Sequence, residues 1–142
     1  MISCTRRIEF DAAHRVLKHE SKCRDLHGHR YAIEATFVAG SLDILGRVVD
    51  FGVVKELLGG WVDVHWDHAT ILHQDDAALG NAITAVTQQK IYYLSGNPTA
   101  ENLADYLLHH ICPMLFKERG VECVRIRLYE TPNCYADAVL GV

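Results

Sequence analysis

Several features that would assign this chain to a particular class of protein are missing. No apolar run is long enough to span a bilayer, and residues 1–7 lack the apolar core of a signal peptide. Fourteen Lys and Arg against eighteen Asp and Glu give a net charge of −4, which argues against nucleic-acid or membrane-surface binding driven by bulk charge. We therefore expect no nucleic-acid partner, no membrane association and a cytoplasmic location.

The five cysteines show no Cys-x-x-Cys pair, and their odd number does not suit a disulfide framework. Four of them, Cys4, Cys112, Cys123 and Cys134, lie in apolar surroundings that are typical of small buried side chains. This pattern favours a reducing compartment. Cys23 differs, because it stands in a polar, basic stretch.

Repeats, linkers and low-complexity segments are also missing, and 142 residues suffice for one well-packed core. Apolar residues make up 49% of the chain and charged residues 23%, as in ordinary globular proteins. We therefore predict a single domain over residues 1–142.

Alternating apolar and polar residues predict strands over 2–13, 29–39, 122–130 and 134–140. Helical spacing predicts one helix that Asp50 caps and a second that begins at Pro98-Thr99-Ala100-Glu101. The order ββααββ predicts an α+β fold, with two helices on one face of a four-stranded antiparallel sheet. Residues 69–97 fit this order poorly, with a short helix near 76–85 and a strand-like 91–94. The uncovered sheet edges favour pairing between copies of the chain, so we expect a homo-oligomer.

The densest group of metal-binding residue types is Cys23-Arg24-Asp25-Leu26-His27-Gly28-His29, with His14 upstream. Residues two apart in a strand share a face, so His27 and His29 project side by side. His14 ends the first predicted strand, and pairing of the two strands would bring the three rings together. Three histidines leave an open position, which is typical of catalytic zinc sites. Cys23 is then either a fourth ligand or a base.

Two further places carry residues suited to proton transfer or binding. In Asp67-His68 a carboxylate stands next to an imidazole, which suits a proton-transfer unit, although ordinary residues at a helix exit would look the same. Adjacent residues rarely bond each other, so one of the two is expected to serve a partner across an interface. Glu130 ends a strand on its apolar face, where a ligand with N–H donors would satisfy it, unless the strand frays there.

The predicted loop over residues 14–30 has an excess of basic residues. It carries Arg15, Lys18, Lys22, Arg24 and Arg30 against only Glu20 and Asp25. This local charge of +3 in an acidic chain suits an anionic substrate, although a solvated loop explains it equally well.

Taken together, these motifs resemble those of the 6-pyruvoyltetrahydropterin synthase / 6-carboxytetrahydropterin synthase family. The matching pieces occur in the family's order and span nearly the whole chain. They are Phe10-Asp11-Ala12-Ala13-His14, Cys23-x3-His27-Gly28-His29, Val49-Asp50-Phe51, Asp67-His68, Pro98-Thr99-Ala100-Glu101-Asn102 and Tyr129-Glu130-Thr131. The resemblance implies the tunnelling fold, in which subunits form trimeric barrels, usually stacked as hexamers, with active sites between subunits.

The resemblance also implies the roles of the site residues. His14, His27 and His29 would bind Zn²⁺, and Cys23 would be the general base. Asp67 and His68 would form a relay from a neighbouring subunit, and Glu130 would anchor the pterin ring. The substrate would be 7,8-dihydroneopterin triphosphate.

Two branches of the family compete for the product. The short spacer between Cys23 and His27, together with Asp50-Phe51, resembles the bacterial carboxytetrahydropterin synthases of the 7-deazapurine (queuosine) pathway. Pyruvoyl synthases, which only eliminate triphosphate, tend to have a longer spacer and remain the alternative. A non-catalytic pterin- or metal-binding module is a third hypothesis, which would leave the Cys23 thiol without a purpose.

Overall fold

The structure, a computed structural model, describes residues 1–141 as one six-stranded sheet with three longer helices. Its strands are β1 (Ser3–His14), β2 (His27–Ala39), β3 (Thr70–His73), β4 (Ile91–Leu94), β5 (Val121–Thr131) and β6 (Cys134–Val139). The helices are α1 (residues 51–65), α2 (Ala77–Thr87) and α3 (residues 100–116). Central parts of α1 (Lys55–Gly59) and α3 (Leu107–Ile111) are π-helical, and short 3₁₀ turns cover Lys22–Arg24 and Gln74–Asp76.

The strand order in the sheet is β4-β3-β1-β2-β5-β6. Strands β1, β2, β5 and β6 pair antiparallel, as the sequence predicted. The prediction of a four-stranded sheet was nevertheless wrong, because β3 and β4 extend it in parallel from the end of β1. In β3 the residues Thr70, Ile71 and Leu72 are all buried, so no alternation of apolar and polar residues marks the strand in the sequence.

Both predicted helices are present, and the expected helix near 76–85 is α2. The Asp50 carboxylate caps α1 by accepting a hydrogen bond of 2.9 Å from the Gly52 N–H. The Thr99 hydroxyl caps α3 in the same way, with 3.1 Å to the Asn102 N–H. Helices α1 and α3 cover one face of the sheet and form the core with it.

The core combines alternate residues of the long strands with the apolar stripes of α1 and α3. Its fully buried members include Phe10, Tyr31, Ile33, Phe37, Leu58, Trp66, Leu103, Leu107, Ile126 and Leu128. On the other face of the sheet, the part formed by β1, β2, β5 and β6 is charged, whereas α2 packs on the β3–β4 end, where Gly80 approaches the Tyr93 hydroxyl. Ion pairs on this charged part join Arg7 to Glu34, Arg30 to Asp11 and Arg127 to Asp137. Among residues 1–141, no helix has the length and apolar character needed to cross a membrane.

Candidate metal centre

The three predicted ligand histidines lie together at the end of the sheet where β1 finishes and β2 starts. The register sets His14 opposite His27 and Ala12 opposite His29, so all three rings project toward the same face of the sheet. Their ligand nitrogens all lie within 4.8 Å of one another. The antiparallel register therefore assembles the cluster that the spacing predicted.

Two backbone carbonyls fix the tautomers of His14 and His27. The Nδ1 atom of His14 lies 2.7 Å from the Pro98 oxygen, and Nδ1 of His27 lies 2.6 Å from the Asp25 oxygen. A carbonyl only accepts hydrogen bonds, so each Nδ1 carries a proton and each Nε2 of a neutral ring carries a lone pair. Such carbonyl partners are the usual orienting contacts of metal-binding histidines.

The Nε2 lone pairs of the three rings point toward one another, and no N–H or O–H group of the described chain lies between them. The Nε2 atoms of His14 and His27 lie 3.2 Å apart. Nε2 of His29 is buried and has no hydrogen-bond partner within residues 1–141. Two facing lone pairs at this distance need a positive charge between them, either a proton or a metal ion.

The environment of the cluster disfavours the proton. Burial lowers the pKa of His14, against the opposing influence of the Pro98 carbonyl and Glu130, and the neighbouring His27 and His29 lower it further. Burial likewise lowers the pKa of His29, again against the influence of Glu130. Neutral imidazoles are the form that binds metal. The cluster thus fits a metal ion held by three imidazoles with an open coordination position.

Glu130 faces this cluster and is not the frayed, solvated end of a strand. Its Oε1 lies 3.6 Å from Nε2 of His29, and its Oε2 lies 3.9 Å from Nε2 of His14. About a quarter of its side chain is exposed (27%). A ligand that binds at the cluster would therefore meet this carboxylate.

Cys23 lies in the 3₁₀ turn Lys22–Arg24 and is partly buried. The Val16 N–H donates to its carbonyl oxygen over 2.8 Å, which ties the turn to the chain just after β1. The group of possible metal ligands among residues 1–141 comprises only the three histidines, without the Cys23 sulfur. The sulfur is thus not part of the ligand group, and the role of Cys23 as a base stays a prediction.

Asp67 and His68 bond each other directly, contrary to the expectation for adjacent residues. Oδ2 of Asp67 lies 3.0 Å from Nδ1 of His68. The contact forms because His68 has a left-handed backbone (φ 58°), which turns its side chain back toward Asp67. Oδ1 of Asp67 accepts a hydrogen bond of 3.0 Å from the Asp11 N–H. Partial burial opposes ionisation of Asp67, but these two contacts outweigh it and lower the pKa of the carboxyl group.

His68 shares a cavity with His29, one of the three cluster histidines. His68 is largely exposed and opens on a cavity of about 390 Å³. The cavity is lined by Asp11, Ala12, Ala13, Gly28, His29, Arg30, His68, Ala69 and Gln89. Asp11, Gly28 and Arg30 alternate with the ligand histidines along β1 and β2, so these three lining residues belong to the charged face of the sheet.

Two of the five basic residues of the 14–30 loop form ion pairs with aspartates. Arg15 binds both carboxylate oxygens of Asp76, and Arg30 binds Asp11 at 2.8 Å. Lys22 and Arg24 lie in the turn that holds Cys23. Together with Lys18, these residues remain as candidates for binding an anionic group beside the site.

Sequence reasoning missed Tyr31, which follows His29 by two residues and so shares its face. The signal was present, because Tyr31 continues the alternation of His27 and His29. Its ring centroid lies 5.9 Å from that of His14 and 5.5 Å from that of His29. Burial, followed by the Glu130 carboxylate, raises the pKa of the Tyr31 phenol.

Comparisons with known proteins identify the family of the chain. A family model described as 6-pyruvoyl tetrahydropterin synthase matches residues 3–139. Proteins named 6-carboxy-5,6,7,8-tetrahydropterin synthase are 53% identical in Rickettsia bellii and 51% identical in Rickettsia conorii. Each match spans 137 residues, which is 96% of this chain and 99% of the relative.

Solved structures show the same fold at low sequence identity. An uncharacterized protein from Wolinella succinogenes superposes with a TM-score of 0.84 at 19% identity, covering 98% of both chains. The 6-pyruvoyl tetrahydropterin synthase of Caenorhabditis elegans superposes with a TM-score of 0.67 at 20% identity, covering 97% of this chain and 94% of that one. The chain belongs to the 6-pyruvoyl tetrahydropterin synthase family.

Proposed function

We propose that this chain is a 6-carboxy-5,6,7,8-tetrahydropterin synthase. It would convert 7,8-dihydroneopterin triphosphate and water to 6-carboxytetrahydropterin, acetaldehyde and triphosphate. The observation that carries the chemistry is the cluster of three converging histidines, with the Glu130 carboxylate turned toward it. The choice of branch rests on the names of relatives that are 50–53% identical and on the short spacer between Cys23 and His27.

The metal ion of the cluster is proposed to be Zn²⁺, held by His14, His27 and His29. Zinc prefers nitrogen ligands, and three histidines with an open position are a common catalytic set. When bound, the ion would act as a Lewis acid on oxygens of the substrate side chain and acidify the neighbouring C–H and O–H groups.

The chain's own residues would bind the substrate and move its protons. The Glu130 carboxylate would accept paired hydrogen bonds from the amino and ring N–H groups of the pterin. Cys23 would take a proton from the substrate side chain. His68, oriented by Asp67 at 3.0 Å, would handle a second proton.

This division of labour requires more than one copy of the chain. His68 is largely exposed and opens on a cavity lined mainly by residues that alternate with the ligand histidines, which supports completion of the site by Asp67 and His68 of a neighbouring copy. In β1 only Ala13 and His14 pair with β3, which leaves residues 3–12 with an outer edge that has no partner strand within residues 1–141. The outer edge of β6 is equally unpaired. We propose that these edges pair between copies in a trimer-based barrel, stacked as a hexamer.

The setting of the reaction follows from the proposed product. A carboxytetrahydropterin leads to 7-deazapurines, so the chain would serve the queuosine pathway. All five cysteines of the described chain are free thiols. This agrees with the proposal that residues 1–142 act as one cytoplasmic domain.

Product analysis tests the proposal. The purified, zinc-loaded protein is incubated with 7,8-dihydroneopterin triphosphate, and any aldehyde is trapped as a hydrazone. We expect acetaldehyde and triphosphate in equal amounts, with 6-carboxytetrahydropterin as the pterin. Triphosphate with a pyruvoyl pterin and no acetaldehyde would establish the pyruvoyl branch instead. Binding of the substrate without any triphosphate release would indicate a non-catalytic binding module.

A further inference from the structure

The hydroxyl group of Tyr31 is a buried polar group without a hydrogen-bond partner. Tyr31 is fully buried (0% exposed), and its oxygen contacts no donor or acceptor among residues 1–141. A buried hydroxyl that stays unpaired destabilises the folded state, and a phenylalanine would fill the same space without that cost. The hydroxyl therefore needs a partner that arrives after folding.

The position of Tyr31 indicates where that partner binds. The ring stacks on Phe10 with centroids 5.0 Å apart and an interplanar angle of 12°, so its orientation is held by packing. Its edge contacts run to His14 and His29, two of the three residues of the metal centre. The antiparallel register pairs Ala32 of β2 with Tyr129 of β5, so the residues one position further along, Tyr31 and Glu130, lie opposite each other on these strands. Tyr31 thus lies beside both the proposed ligands and the proposed pterin anchor.

Two half-buried tyrosines of the same core pair their hydroxyls. The hydroxyl oxygens of Tyr92 and Tyr106 lie 2.6 Å apart, and both rings pack near Trp66. Tyr31 is more deeply buried, yet its hydroxyl has no such partner among residues 1–141.

We propose that Tyr31 is a substrate-binding residue whose hydroxyl donates a hydrogen bond to an acceptor atom of the pterin substrate. The acceptor is either a ring atom of the pterin or an oxygen of its side chain. The proposal rests on the proposed function, since it takes the ligand of the site to be a pterin.

The variant Tyr31→Phe removes only the hydroxyl. We expect unchanged metal content and an unchanged or higher melting temperature of the ligand-free protein. The affinity for 7,8-dihydroneopterin, measured by calorimetry on the zinc-loaded protein, should fall about tenfold. The matched control Tyr92→Phe breaks a paired hydroxyl, so it should lower the melting temperature and leave the affinity within twofold of wild type.

A second probe, unsubstituted pterin, locates the acceptor. Weaker binding of both probes to Tyr31→Phe places the acceptor on the ring, and weaker binding of 7,8-dihydroneopterin alone places it on the side chain. Unchanged affinity for both, or a lower melting temperature of the ligand-free variant, would overturn the proposal. Acetaldehyde formation by the wild-type protein is measured beside these titrations, so failure of the Tyr31 role is distinguished from failure of the proposed function.

Discussion

Arg15 binds Asp76 through two hydrogen bonds, with Nε and Nη2 lying 2.5 and 2.6 Å from the two carboxylate oxygens. The pair joins the end of β1 to the 3₁₀ turn before α2, 61 residues away. Asp76 is only 4% exposed, so Arg15 neutralises a buried charge and is not available to a substrate. The basic loop must therefore bind any anion with other residues.

The first prediction concerns Lys22 and Arg24, which lie in the turn that carries Cys23. The double variant Lys22→Ala/Arg24→Ala should raise the KM for 7,8-dihydroneopterin triphosphate about tenfold, because two cations that attract the triphosphate are lost. Steady-state kinetics at two salt concentrations measure this, and the variant should show a weaker salt dependence. Lys117→Ala, at the end of α3, is the control. An unchanged KM would contradict the prediction.

The second prediction concerns the metal. His29→Ala removes an imidazole whose Nε2 lies in the converging cluster, so bound zinc and activity should both be lost. Elemental analysis after gel filtration measures the metal content. His109→Ala removes an exposed histidine of α3 and should keep both. Tightly bound, stoichiometric zinc in His29→Ala would contradict the assignment.

The third prediction concerns pH. Burial holds the pKa of His14 below the ordinary imidazole value of about 6.5. Below that pH the unfolded chain binds more protons at this position than the folded chain, so the stability of the metal-free protein should fall as the pH is lowered through about 6.5 toward the folded-state pKa. Urea unfolding of the chelator-treated protein measures this dependence. His14→Gln should flatten it, and an identical pH dependence in both proteins would contradict the prediction.

The fourth prediction concerns Cys23. Cys23→Ala should keep near-stoichiometric zinc and bind substrate, because the Cys23 sulfur is not part of the ligand group. Turnover should fall by about 10²–10⁴-fold if the thiol transfers a proton. Metal analysis and single-turnover kinetics separate the two effects. Loss of zinc from this variant would show that Cys23 is a ligand.

The fifth prediction concerns assembly. Cys23→Ala and His68→Ala are each expected to be inactive, yet mixing them under conditions that allow subunit exchange should restore partial activity. Some sites would then combine an intact Cys23 from one copy with an intact His68 from another. Cys23→Ala protein taken alone through the same exchange conditions is the control, and it should remain inactive. An active, stable monomer would exclude the shared site.

Much of this fold and site was determined by local sequence pattern. Alternation along 2–13 and 29–39 indicated which side chains face the helices, and one antiparallel register then places His14, His27 and His29 together. The caps at Asp50 and Thr99 marked the helix starts because their side chains replace backbone partners that are missing at a helix N-terminus. Each of these signals depends on neighbours within a few residues, which is why the sequence alone carries them.

Other features were decided only by the tertiary structure. Strand β3 is buried on both faces by its neighbours, so its four residues show no periodicity. The direct Asp67–His68 contact depends on a left-handed residue, and its place beside β1 depends on the hydrogen bond that the His68 N–H donates to the Asp11 carbonyl. The pairing of Arg15 with Asp76 and the unpaired Tyr31 hydroxyl depend on residues far apart in the chain. Such contacts are determined by how the elements pack, since no local spacing distinguishes a satisfied polar group from an unsatisfied one.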